Sequence, residues 1–82
     1  MKAAAVRRAA ERYEGSALDA AIEALAEREE ELLEIEGDDA GERLTHLLLA
    51  RRVRTRMEAG EGLKEAFRAE MGAVRDVLAN ED

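Results

Sequence analysis

The sequence predicts an all-α fold, a small bundle of three to four short helices, from its composition and from the spacing of its apolar residues. Proline is absent from the 82 residues, and alanine and glutamate are frequent; both lose little side-chain freedom in a helix. In four stretches apolar residues recur at intervals of three and four, as on one face of a helix. A chain of this length builds one core, so residues 1–82 are expected to form a single helical domain.

Charge and cysteine content narrow the classes of function. The net charge of −7 disfavours general binding to nucleic acid or to an anionic membrane. The chain has no cysteine, which excludes disulfides and thiolate metal sites. No apolar run approaches the roughly 20 residues that span a bilayer, and arginines interrupt the first ten residues, so neither a membrane segment nor a signal peptide is expected. The expected location is the cytoplasm.

The first two helices are separated by a glycine. The first is expected from about Lys2 to Tyr13, where Gly15 stops it. The second opens with Ser16 as N-cap and Asp19 three residues later, close to the capping-box pattern. The apolar stripe of the second helix consists of Leu18, Ala21, Ile22, Leu25, Leu32 and Leu33. Polar and apolar residues then alternate over 33–36, which fits either a short extended piece or a last helical turn.

The third and fourth helices are separated by glycines 60 and 62. Asp38 or Asp39 caps the third helix, Glu42 completes a capping box from Asp39, and the helix is expected to run to Ala59. The fourth is expected to run from Leu63 to about Ala79. Its apolar stripe consists of Leu63, Phe67, Met71, Val74, Val77 and Leu78. The short loops favour antiparallel neighbours in the bundle.

The run from Glu34 to Leu48, EIEGDDAGERLTHLL, resembles the central motif of a small uncharacterised bacterial protein family of about this length. The similarity extends over nearly the whole chain, although this run is its specific part. The resemblance implies a stand-alone domain of unknown function and supplies no catalytic or binding residue. After Leu49 the sequence reads RRVRTR, where that family has a more apolar continuation, so a shared partner surface does not follow.

Apolar residues on the third helix fall on two opposite faces. One face carries Ala40, Leu44, Leu47 and Leu48, and the other carries His46, Leu49, Val53 and Met57. A helix that is apolar on two sides is usually central or lies between its own domain and a partner. Because four short helices need one inward face each, we expect a homodimer with two-fold symmetry at the second face. Burial of both faces within one chain is the alternative.

Four arginines on the third helix flank this second face. Arg52 and Arg56 project on one flank, and Arg51 and Arg54 on the other, so the four do not form one basic surface. The acidic second segment offers salt-bridge partners at Glu27, Glu30, Glu31 and Glu34. The predicted partner or dimer interface therefore consists of His46, Leu49, Val53, Met57, Arg52, Arg54 and Arg56.

Three charged residues stand at positions where the apolar period expects apolar side chains. Arg51 is expected to be buried against Glu70 or Glu29, because an unpaired charge in a core is costly. His46 lies four residues after Glu42, a spacing that can supply two metal ligands, but the paired Glu-x-x-His pattern of di-iron bundles is absent. No metal site, cofactor or catalytic residue is predicted.

The preferred functional hypothesis is a non-enzymatic, homodimeric protein-interaction module. The alternative is a DNA-binding regulator or antitoxin-like protein that presents the Arg-rich helix 40–59, because phosphate contact needs clustered positive charge. A metal-dependent enzyme built on His46 and Glu42 is the third hypothesis. The sequence names neither the partner nor the pathway.

Overall fold

The computed structural model describes the backbone of residues 1–79 and the side chains of residues 1–75. This part of the chain contains no strand and four helices, which are α1 (Ala3–Arg12), α2 (Gly15–Arg28), α3 (Ala40–Glu58) and α4 (Leu63–Ala79). The all-α prediction is confirmed. The side chains of Val77 and Leu78 lie outside the described residues.

Helix α3 forms the centre of the bundle. It packs against each of the other three helices, whereas α2 contacts only α3 among them. The helices α1 and α3 run in the same direction, because Lys2 binds His46 and the Ala10 carbonyl binds Arg54. The core that α3 organises consists of Val6, Ala9, Ala10, Leu18, Ala21, Leu25, Leu47, Ala50, Val53 and Ala66.

The buried residues of α3 lie on one broad face and not on two opposite ones. His46, Leu47, Ala50 and Val53 are buried, and their spacing of one, three and three residues is that of a single helix face. Leu48, on the opposite side, is 47% exposed. The prediction of two apolar faces that one chain cannot cover was therefore wrong: Ala50 connects them, and the other three helices surround the resulting face.

The junction between α1 and α2 differs from the predicted serine cap. Helix α2 begins at Gly15, with Glu14 as N-cap, so Ser16 lies inside the first turn. A Cβ atom at Gly15 would stand 2.6 Å from Nη1 of Arg51, closer than such atoms approach. Glycine thus lets the start of α2 touch α3, and Asp19 binds Arg51 instead of capping its own helix.

Helix α2 ends earlier than its apolar pattern indicates. Glu29 adopts the left-handed conformation, with φ of 55°, and the Glu30 amide donates to the Ala24 carbonyl. The Glu29 amide donates to the Leu25 carbonyl at 3.2 Å, which is the hydrogen bond of an αL C-cap. Leu32 and Leu33 therefore lie beyond the helix. Residues 33–36 belong to neither a helix nor a strand; Leu33 and Ile35 are half-buried, and Glu34 and Glu36 are exposed.

The caps of α3 follow the sequence prediction closely. The Asp39 carboxylate accepts a 2.8 Å hydrogen bond from the Glu42 amide. The Glu42 carboxylate accepts a 3.4 Å hydrogen bond from the Asp38 amide. In a standard capping box it would accept from the amide of the N-cap residue, which is Asp39. At the other end α3 stops at Glu58, and Gly60 has a positive φ of 109°.

Candidate interaction surfaces

Two arginines of α3 bind one buried carboxylate of α4. Glu70 is only 3% exposed. Its Oε1 accepts from Nε of Arg52 at 2.6 Å, and its Oε2 accepts from Nε of Arg56. Because Arg52 and Arg56 are one turn apart, both reach the same point on α4. We call Arg52, Arg56 and Glu70 the triad. It joins α3 to α4, and both of its arginines are paired within the chain.

The protonation of Glu70 reflects two opposing effects. Burial alone raises the pKa of this carboxyl group, but hydrogen bonds from Arg52 and Arg56 outweigh burial and lower the pKa below its ordinary value. The hydrogen bond to Glu70 in turn raises the pKa of Arg56. The triad is therefore fully charged at neutral pH.

The predicted partner of Arg51 was wrong, although the burial of Glu70 was predicted correctly. Arg51 Nε donates to Asp19 Oδ1 at 2.7 Å, and its Nη1 lies 3.4 Å from Glu58 Oε1. The hydrogen bond to Asp19 raises the pKa of Arg51. Successive helix residues point about 100° apart, so Arg51 faces α2 while Arg52 faces α4. Glu29 is exposed at the C-cap of α2.

Arg54 also finds its partners within the chain. Its Nη1 donates to the Ala10 carbonyl at 3.3 Å, and its Nε lies 3.8 Å from Glu58 Oε2. The arginines of RRVRTR thus form the expected salt bridges, but with Asp19, Glu58, Glu61 and Glu70. The predicted partners Glu27, Glu30, Glu31 and Glu34 are wrong for these arginines, because that segment continues past α2 toward the start of α3.

His46 is a buried structural residue. It is fully buried, its Nε2 accepts from the Lys2 amide at 3.0 Å, and its Nδ1 lies 2.6 Å from the Glu36 carbonyl oxygen. Since a carbonyl can only accept and an amide N–H can only donate, Nδ1 is the donor and Nε2 the acceptor of the ring. Both nitrogens are engaged, so the Nε2 lone pair is not free for a metal in this conformation.

The predicted interface ridge is largely covered by the chain itself. Val53 is fully buried, and Leu49 and Met57 are half-buried against the core. A second chain cannot reach Val53 or His46 without opening the bundle. The observation that led to a dimer through this ridge therefore no longer requires one.

A groove between α1 and α4 combines positive charge with an apolar floor. It encloses about 440 Å³ and is lined by Arg7, Leu63, Lys64, Phe67 and Arg68. Leu63 and Phe67 are half-buried and pack against the core. None of the three cations forms an ion pair with a described side chain. We call these five residues the α1–α4 groove.

Sequence reasoning missed this groove because its residues are far apart in the chain. Arg7 joins the others only when α1 packs against α4. One local signal was present: Lys64 and Arg68 are one turn apart on a helix, where like charges are slightly destabilising. Like charges next to the apolar residues Leu63 and Phe67 indicate a surface that an acidic partner with apolar side chains could bind.

A second groove, between α1 and residues 34–36, is closed by the chain's own charges. It encloses about 360 Å³. Arg8 pairs with Glu36, Arg12 with Glu34, and the Tyr13 hydroxyl donates to the Glu34 carbonyl at 3.2 Å. These contacts hold residues 34–36 against α1 and pair every charged side chain that lines this groove.

The described residues contain neither a membrane-spanning helix nor a cluster of metal-ligand side chains. Within 1–79, no helix is both long and apolar enough to cross a membrane. No three histidine, cysteine, aspartate or glutamate side chains in this part of the chain are grouped as metal ligands would be.

A family model described as "Family of unknown function (DUF6952)" matches residues 1–79. No curated protein and no solved structure matches the chain. The expected resemblance to a family of unknown function is confirmed, and it assigns no role to any residue.

Proposed function

We propose, for a chain that belongs to the DUF6952 family of unknown function, that it is a non-enzymatic protein-interaction module whose docking surface is the α1–α4 groove. The occupant is an acidic, amphipathic peptide segment. One observation carries the proposal: on a chain of net charge −7, three cations without an acidic partner among the described side chains surround two apolar residues.

The lining of the groove defines the chemistry of the occupant. Leu63 and Phe67 offer apolar surface that one or two apolar side chains can cover. Arg7, Lys64 and Arg68 offer positive charge that carboxylates on either side of those side chains can neutralise. A free anion would leave the apolar floor uncovered, and an uncharged apolar ligand would leave the cations unmatched. A peptide segment that carries both carboxylates and apolar side chains pairs with the cations and also covers the floor.

Nucleic acid fits this surface less well. The DNA hypothesis relied on the arginines of α3, and these bind acidic side chains of the same chain. Three groove cations would neutralise few phosphates, and the acidic remainder of the protein repels the duplex.

The groove is tested by titrating the protein with a synthetic amphipathic peptide that carries glutamates on both sides of a Leu and Phe stripe. Calorimetry gives the Kd, and amide chemical shifts locate the contact. The Arg68→Glu variant should bind at least about tenfold more weakly. The control, Arg75→Glu, makes the same charge change two turns further along α4 and should bind normally.

A control peptide separates the contribution of charge from nonspecific apolar binding. Replacing every glutamate of the peptide by glutamine should weaken binding to the same degree as Arg68→Glu. If the acidic peptide binds Arg68→Glu as tightly as the unmodified protein, the groove is not its site. A low-salt shift assay with duplex DNA that shows tighter binding than the peptide would favour the nucleic-acid alternative.

A further inference from the structure

The end of α2 carries the chemical complement of the α1–α4 groove. Leu32 is 53% exposed, one of the most exposed large apolar side chains in the described structure. Glu29, Glu30 and Glu31 precede it and are exposed, and Glu30 Oε1 lies 3.4 Å from Arg28 Nε at the surface. An apolar side chain beside carboxylates is the occupant chemistry that the groove requires. We call residues 27–32 the acidic knob.

The acidic knob cannot reach the groove of its own chain. Glu31 binds Arg43 at the start of α3 with distances of 2.5 and 2.9 Å. Glu70, on the helix that forms the groove, binds α3 at Arg52 and Arg56. These anchor points are at least nine residues apart along α3, or about 13 Å. In addition, the described residues of α2 and α4 do not pack against each other.

We infer that the α1–α4 groove of one molecule binds the acidic knob of a second copy. This inference rests on the proposed function and names the partner of the same surface. Leu32 covers Leu63 and Phe67, and Glu29 and Glu30 face the groove cations. Because the two surfaces are different patches of one chain, the contact is head-to-tail and builds a ring or an open chain of copies.

Net charge does not prevent this contact at physiological salt. Each copy carries −7, but the screening length at 0.15 M salt is about 8 Å. Repulsion between the distant acidic groups is screened, whereas groups that meet in the contact are screened much less. The association is therefore weak, local and dependent on the facing charges.

Charge reversal with complementation tests the contact by sedimentation velocity over a concentration series. The unmodified protein should gain mass as its concentration rises into the high-micromolar range. Arg7→Glu with Arg68→Glu reverses the groove, and Glu29→Arg with Glu30→Arg reverses the acidic knob. Each double variant should remain monomeric by itself, and an equimolar mixture of the two should associate again, because each groove then faces a knob of opposite charge.

Leu32→Ser provides a variant without any charge change. It should reduce association, while its circular dichroism and Tm remain those of the unmodified protein. A protein that stays monomeric throughout, or that associates equally well in all variants, overturns the inference.

The two proposals fail in different ways. If the protein stays monomeric but the groove still binds the acidic probe peptide and loses it in Arg68→Glu, the second copy is not the partner and the interaction module stands. If the probe peptide does not bind either, both proposals fall.

Discussion

The arginines of α3 and the cations of the α1–α4 groove differ in what they face. Each α3 arginine in the run RRVRTR meets a carboxylate of its own chain. The groove cations are fewer and dispersed in the sequence, yet meet no described carboxylate. The density of positive charge along a chain is therefore a poor guide to a binding surface, because cations that are close in sequence can all form ion pairs within the folded chain.

The same distinction applies to the single histidine. His46 is a common metal ligand type and lies four residues after Glu42, but both of its ring nitrogens bind backbone groups. The polar residues of α3 are therefore expected to affect stability, and those of the groove to affect binding.

The largest stability effect is expected at His46. His46→Ala removes a fully buried ring and two hydrogen bonds and should cost about 3 kcal/mol. His46→Leu fills much of the space but leaves the Lys2 amide and the Glu36 carbonyl without their partner, and should cost about 1–2 kcal/mol. Urea unfolding measures both. Equal stability of His46→Ala and the unmodified protein would refute the structural role of this residue.

Removal of Glu70 should have the next largest effect. Glu70→Ala deletes the buried carboxylate between α3 and α4 and should lower the free energy of unfolding by about 2 kcal/mol, less than a fully buried pair because Arg52 reaches solvent. Arg68→Ala, on the same helix, should leave the Tm unchanged. If the two variants are equally stable, the distinction between paired and unpaired charges does not hold.

The triad also makes stability depend on pH. The folded pKa of Glu70 is lowered, so the fold favours the deprotonated carboxylate. The stability it contributes is fully present above the ordinary carboxyl pKa and is lost as the pH falls through the lower, folded pKa. From pH 7 to pH 3, the unmodified protein should lose more stability than Glu70→Gln. Parallel curves would mean that Glu70 does not titrate as described.

The smallest effect is expected at Arg51. Its partners Asp19 and Glu58 are exposed, and such pairs contribute less than about 1 kcal/mol. Arg51→Met should therefore keep the fold and change the Tm only slightly, as thermal unfolding can show. A large loss of stability would mean that the contact of Arg51 with Gly15 does more than these ion pairs.

The helices were predictable where local chemistry determines them. Asp39 and Gly60 mark the ends of α3 because a cap and a positive φ are properties of single residues. The end of α2 was not predictable from the apolar period, since Leu32 and Leu33 continue the stripe while Glu29 turns the backbone. Ser16 is not the N-cap of α2, because Asp19 binds Arg51 and Gly15 lies against it. Arg51 is at least 32 positions away in the sequence.

The candidate surface was less predictable than the fold. The sequence identified Glu70 as a misplaced charge but assigned Arg51 to it, whereas Arg52 and Arg56 bind it. The correct choice depends on which neighbour each face of α3 meets. The α1–α4 groove needs α1 to pack against α4, more than 50 residues apart. No spacing within one helix contains this information.

The central position of α3 also divides the bundle into parts that can open separately. Since no contact joins α2 to α4 among the described residues, either can detach from α3 while the other remains docked. Amide exchange near neutral pH should then show two cooperative units, one containing α2 and the other containing α4, with α3 the last helix to lose protection.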